Sequence, residues 1–265
     1  MTTPDIALPK DLKDCGVLVV GGTAGIGLAT AVGLAEAGAP RVMIVGRSAE
    51  RGRAAQERIS SANPSCTVTF LSADATTLDG AVYIASEAER ILGGVDILVS
   101  TTAADVRPEL FANIPTDDIA RTFNQLALPS MYLASEIVPH MTTRKGGVII
   151  NVASDAAKTA TPGESVIGAA KAAIVMFSRT LAIEAKRHGI RVNVLTPSLV
   201  NGTGSTERIT SDGFSAKLFA KAAKQAHLGV PESEDLAALA VFLASPAARR
   251  LTGQAISVNG GISAA

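Results

Sequence analysis

The chain has no tryptophan, two tyrosines and only 3% aromatic residues, and its acidic and basic side chains cancel at 24 each. Without a net field nothing draws it to nucleic acid or to an anionic membrane, and it has no basic stripe interleaved with aromatics to stack on bases. A small-molecule partner is the expectation that remains. Cysteine is confined to Cys15 and Cys66, which have neither Cys-x-x-Cys spacing nor a nearby histidine. A zinc centre or a disulfide framework is therefore not expected, no metal is assigned, and both residues read as buried, unreactive thiols. The stretch before Cys15 carries Asp5, Lys10, Asp11, Lys13 and Asp14 with no apolar run. Neither a signal peptide nor a membrane anchor is legible there, and the expected location is cytoplasmic.

What is present is enough apolar material, 47% of 265 residues, to bury one large core, so residues 1–265 are read as one domain. Short aliphatic runs recur at Val17–Val20, Arg41–Val45, Thr67–Leu71, Ile97–Val99, Val148–Val152, Arg191–Leu195 and Ala255–Val258, separated by segments long enough for crossover helices. Apolar strands alternating with helices predict an α/β fold: a Rossmann-type doubly wound sandwich around a seven-stranded parallel sheet. Residues 198–229 form the least regular stretch. Because ligands in such sheets bind beyond the carboxyl ends of the strands, this excursion after the sixth strand is expected to be the substrate lid.

The first strand ends in Gly21-Gly22-Thr23-Ala24-Gly25-Ile26-Gly27 and runs directly into a helical pattern. Glycines at such a turn let backbone N–H groups and the positive helix end approach a pyrophosphate. Further along stand Asp74 after the third strand, Asn124 in the helix predicted over Asp117–His140, Ser154 closing Asn151-Val152-Ala153-Ser154, and Lys171. With the ending Gly253 to Gly261, these elements occur in the order of the classical short-chain dehydrogenase/reductase family, which the chain resembles over nearly its whole length. The resemblance implies a nicotinamide cofactor with Gly21, Gly25 and Gly27 around the pyrophosphate, Ile26 as a further cofactor contact and Asp74 at the adenine. It places Lys171 at the nicotinamide ribose and adds Thr101, Pro197 and Val200 as cofactor contacts. Ser154, Lys171 and Asn124 are the catalytic residues it implies. An oligomer follows too, a homodimer or homotetramer, with a hetero-oligomer as the alternative.

Cofactor choice turns on the end of the second strand. An acidic residue there would accept from a ribose 2′-hydroxyl, whereas Gly46-Arg47-Ser48 offers a planar cation and a hydroxyl to a 2′-phosphate. NADP(H) is the expected cofactor, with Arg47 at its 2′-phosphate and Thr23 and Ser48 adding hydroxyl contacts.

The family's catalytic tyrosine is missing. Counting thirteen residues from Ser154 and four back from Lys171 both reach Ile167, which can donate nothing. Tyr132 and Tyr83 belong to other helical segments. Two readings follow. In the first, the protein is a reductase whose substrate needs no strong acid, such as an iminium, or which finds its proton elsewhere; Asp155 is the catalytic candidate, with Glu164, Thr101 and Thr102 as further donors. A carboxyl group in an apolar pocket can hold its proton near neutrality. In the second, the chain is a non-catalytic subunit of a hetero-oligomeric enzyme, and the small residues Ala169, Ala170, Ala172 and Ala173 suit close helix packing. Arg107 could hold an anionic substrate group. His140 and His188 are expected to be structural at helix ends, and His227 to lie in the lid.

Overall fold

The computed structural model describes residues 9–211 and 213–264. Seven parallel strands form one sheet: β1 (Gly16–Val20), β2 (Arg41–Gly46), β3 (Thr67–Ser72), β4 (Ile97–Ser100), β5 (Gly147–Val152), β6 (Ile190–Leu195) and β7 (Ala255–Ile256), in the order β3-β2-β1-β4-β5-β6-β7. β1 and β6 are buried at every position, as strands covered on both faces must be. The seventh strand is shorter than the apolar run that announced it.

Helices α1 (Gly25–Glu36), α2 (Ala49–Ala62), α3 (Leu78–Leu92), α4 (Thr116–Arg144), α5 (Ser165–Ala185), α6 (Gly204–Thr210), α7 (Gly213–Gln225) and α8 (Ser233–Ala244) complete the chain. One core, with Val19, Leu34, Ile44, Ile59 and Leu243, lies between the sheet and α1, α2 and α8. The other, with Leu18, Met43, Ile84, Leu133 and Ile137, lies under α3 and α4. Two layers of helix on one parallel sheet make the doubly wound architecture expected from the sequence. Val20 pairs with both Val45 and Ser100, so the carboxyl ends of β2, β1 and β4 finish level. The strand order reverses between β1 and β4, and a crevice opens there.

Two expectations need correction. The helix predicted to end at His140 continues to Arg144 through Pro129 and Pro139, so His140 lies inside it. Its last turn is held by Arg144, which donates from Nη1 to Glu89 Oε2 at 2.7 Å, from Nη2 to Glu89 Oε1 at 3.0 Å and from Nη2 to the Val95 carbonyl at 2.8 Å. Most of residues 198–229 is also helical, as α6 and α7; the Thr203 hydroxyl caps α6 by accepting from the Thr206 N–H at 3.2 Å.

Cys15 and Cys66 are free and buried, and burial pushes both thiols up, Cys15 to about 12 with Asp96 adding to the effect. Among the described residues, one helical stretch, Ser165–His188, is long and apolar enough to cross a membrane. Here it packs against the core, burying Ala170, Ile174, Val175 and Ala182.

Candidate active site

The glycine loop is shaped by its neighbours. Gly21 has φ +83°, and a Cβ there would lie 2.6 Å from the Thr101 hydroxyl; one on Gly27 would collide with the Gly21 carbonyl. The first turn of α1 follows at once. Its N-cap, Ala24, offers no side-chain cap, so the opening N–H groups of the helix have no capping side chain at the crevice; Thr203 Cγ2 is the side-chain atom nearest Gly25. This is a cradle that fits a pyrophosphate. The crevice is a cleft of about 690 Å³ that runs from β2 to the carboxyl end of β6.

At one end lie Thr23, Gly46, Arg47, Arg51, Asp74 and Thr76. A Cβ on Gly46 would sit 2.7 Å from Thr23 Cγ2, so glycine lets the first loop close over the tip of β2. Partial burial pushes the Asp74 carboxyl up, but the N–H and hydroxyl of Thr76, at 2.9 and 2.8 Å, together with the Arg47 charge, hold it below its ordinary value. Ser48 is outside the lining. Its hydroxyl caps α2 by accepting from the Arg51 N–H at 3.3 Å. Arg51, in the first turn of α2, lines the cleft together with Arg47. Its place at the start of the helix that follows Arg47 was readable in the sequence.

At the other end the cleft is walled by Val152 to Ala156, Glu164, Ile167, Lys171, Pro197, Ser198 and Val200. Lys171 is 8% exposed, donates to the Val152 carbonyl at 3.3 Å, and is lowered by burial to about 8. Ser154 opens a single 3₁₀ turn, accepting from the Ala156 N–H at 3.2 Å. Asp155 is buried and accepts from Ser263 Oγ and from Asn259 Nδ2, so the C-terminal segment clamps it. Glu164, at the N-cap of α5, makes no cap bond; burial, reinforced by the Asp155 charge, pushes it up to about 7.

Asn124 does not belong to this wall. It is exposed on α4, and the α4 residue that reaches the cleft is Leu126, an apolar side chain. Thr101 lines the cleft, but its hydroxyl donates to the Val20 carbonyl at 3.0 Å and braces the glycine turn, which removes it as a donor to substrate. No tyrosine lines the cleft among the described residues: Tyr83 is 49% exposed on α3, and Tyr132 packs on the core beneath α4. The segment of α6 and α7 borders the cleft with Arg208, Leu218, Phe219 and Lys221. It is moored by the Arg208–Asp105 pair at 3.5 Å and by Phe214, whose ring lies against Gly163. A smaller hollow of about 230 Å³ adjoins Ile167 and takes in Arg107, Asp118 and Arg121.

A seven-stranded doubly wound sheet with a glycine cradle and a lysine buried at the far end of the cleft defines a dinucleotide-dependent oxidoreductase. Residues 21–263 match the family model described as enoyl-(acyl carrier protein) reductase. The chain is 31% identical over 264 residues to gluconate 5-dehydrogenase of Gluconobacter oxydans (strain 621H), covering 99% of this chain and 98% of that one. It is 33% identical over 246 residues to the 3-oxoacyl-(acyl-carrier-protein) reductase FabG of Chlamydia pneumoniae, covering 93% and 96%. Among solved structures, a short-chain type dehydrogenase/reductase from Mycobacterium ulcerans superposes with a TM-score of 0.87 at 27% identity, covering 96% of this chain and 91% of that one. A 7α-hydroxysteroid dehydrogenase complexed with NADH and 7-oxo glycochenodeoxycholic acid superposes with a TM-score of 0.85 at 26% identity, covering 95% and 96%. The chain belongs to the short-chain dehydrogenase/reductase family, whose members are oxidoreductases using nicotinamide cofactors.

Proposed function

We propose that this protein is an NADPH-dependent reductase that transfers hydride to a small-molecule iminium or activated carbonyl compound without a tyrosine acid. The observation that carries the cofactor choice is the pair Arg47 and Arg51, both lining the cleft where the second strand ends. Two guanidinium groups suit a 2′-phosphate, which accepts planar, charge-assisted bonds. The N–H groups at the start of α1 hold the pyrophosphate between Gly21, Gly25, Ile26 and Gly27, Asp74 borders the adenine, and Pro197 and Val200 border the nicotinamide end. Bound there, the cofactor supplies the hydride. Lys171 holds the adjoining ribose from its buried seat, and Ser154 orients the substrate atom that receives negative charge. Ile167 gives the substrate an apolar wall in place of a phenol.

The test is reduction by cofactor deuterated at the transferring position, with an N-methyl dihydroisoquinolinium salt and an aryl α-keto ester as probes. Deuterium in the product supports the reading, and cofactor that binds without delivering deuterium to any probe counts against it. The absent phenol favours a second reading, a silent subunit paired with an active relative. Ala169, Met176 and Ile183 are exposed at intervals of seven residues on α5, a stripe suited to a partner helix; Ala170 is buried instead. On the principal reading the same stripe joins copies of this chain, a homodimer or homotetramer in the cytoplasm.

A further inference from the structure

The cleft contains few groups able to release a proton near neutrality. The hydroxyl of Thr101 is committed to the Val20 carbonyl, and Asp155 is held by Ser263 and Asn259. Lys171 is directed at the Val152 carbonyl. Glu164 differs from all of these: its carboxyl lines the cleft, makes no cap bond to α5 and has no side-chain hydrogen-bond partner among the described residues. Residues 164, 167 and 171 are three and seven positions apart across the start of α5, so their side chains share one helix face. That face forms the cleft wall, since all three line it. The carboxyl thus sits one turn before the isoleucine, on the face that also presents Lys171.

We infer that Glu164 is the proton donor of the reduction and that the cleft therefore takes a neutral carbonyl compound rather than a permanently charged iminium. The inference rests on the reductase reading above and narrows its substrate class. The substrate carbon gains hydride with its electron pair, and the C=O π bond breaks with its pair retained on oxygen. The new O–H bond forms as the Glu164 O–H bond breaks, and the carboxylate regains a proton from water at the cleft mouth. An iminium carbon needs no such proton, because hydride alone neutralises it.

The surrounding charges favour the protonated carboxyl. Asp155 faces it from the turn after β5, and its charge acts together with burial to raise Glu164 to about 7. Lys158, on the same turn, is drawn away to Ser257 Oγ at 2.7 Å and to the Ala255 carbonyl. The other ionisable groups of this half of the cleft are Lys171 on α5 itself, the Asp105–Arg208 pair between the loop after β4 and α6, and Lys221 on α7. By clamping Asp155, the C-terminal segment positions the charge that helps keep Glu164 protonated.

The test uses the full chain and E164Q, which keeps shape and polarity but has no acidic proton. In the cofactor-free protein, an infrared difference titration of wild type against E164Q should show a carboxyl band titrating near neutrality in the wild type alone. With NADPH bound, the rate for an aryl α-keto ester relative to that for the N-methyl dihydroisoquinolinium probe should fall about 10²–10⁴-fold in E164Q, and NADPH affinity should be retained. The proposal is overturned by a Glu164 band titrating in the ordinary carboxylate range, by an unchanged rate ratio, or by a wild type that reduces only the charged probe. A wild type that binds no nicotinamide cofactor overturns the reductase reading itself, and the infrared result separates that failure from an error about Glu164.

Discussion

At the scale of single residues, the site is decided by which side of a helix each residue faces. Asn124 and Leu126 are two residues apart, which is ~200° around an α-helix, so a count along the chain that is off by two exchanges a cleft residue for a solvent one. Ser154, Lys171 and the glycine loop were legible because a strand end or a tight turn fixes where they point. Asn124 was misplaced because nothing in the sequence around it fixes the rotation of α4. Ser48 has a local role that its position before a helix made legible, the capping of α2. Replacing Arg47 or Arg51 by Ala should weaken NADPH binding about 10-fold each and leave NADH binding nearly unchanged, as read by parallel titrations. Ile167→Tyr should confer or raise NADPH-dependent reduction of simple ketones; no gain in a folded, cofactor-binding variant would contradict the role given to this position. Glu164 also makes a prediction for stability. Its folded value of about 7 lies above the ordinary 4.5, so the native state holds more protons than the unfolded state between these values, and stability falls as pH rises through that window. E164Q removes the dependence. Its melting-temperature advantage over wild type should be larger at about pH 8 than at about pH 5, and an equal difference at both would show that Glu164 is not raised.

At the scale of elements, strands were easier to anticipate than helix ends and lids. Three or four consecutive apolar residues, as in Val17–Val20 and Val42–Val45, leave a buried parallel strand little freedom, whereas the limits of α4 depend on distant partners. Prolines at 129 and 139 argue locally for an end, and the bidentate clasp of Arg144 on Glu89 together with its bond to the Val95 carbonyl overrides them. The clasp is mostly sheltered, with side-chain exposures of 26% and 16%. Arg144→Met should therefore cost about 2 kcal/mol in denaturant unfolding, and a loss under a few tenths would show the clasp to be incidental. Residues 198–229 were read as irregular because α6 is rich in Gly, Ser and Thr and both α6 and α7 bury little; Ser215 and Phe219 are the residues of these two helices that are buried. Their position over the cleft was nevertheless predictable, since the chord after β6 must cross the carboxyl ends of the strands.

At the scale of the whole molecule, composition and alternation were sufficient for the architecture. A chain with two buried thiols and no net charge has to stabilise itself by burial, and the seven-stranded sheet with two helical layers does so in one body. One end of the cleft is lined by the glycine loop, Arg47, Arg51 and Asp74, and the other by the apolar Ile167 and Leu126 together with Glu164. The stripe of Ala169, Met176 and Ile183 should bury itself between copies. Met176 and Ile183, 60% and 62% exposed, are the positions to change, and M176E combined with I183E should reduce the sedimenting mass to that of one chain. An unaltered mass would place the contact elsewhere.

The central claim is that this cleft holds NADPH and uses it. A fluorescence titration of the protein with NADPH and NADH in parallel tests it most directly, because a chain without tryptophan gives a signal from the cofactor itself. Binding of NADPH at least about 10-fold tighter than NADH, and lost when Arg47 and Arg51 are both replaced, is the predicted result. Equal affinity for the two would contradict the phosphate site, and no binding of either would contradict the enzyme.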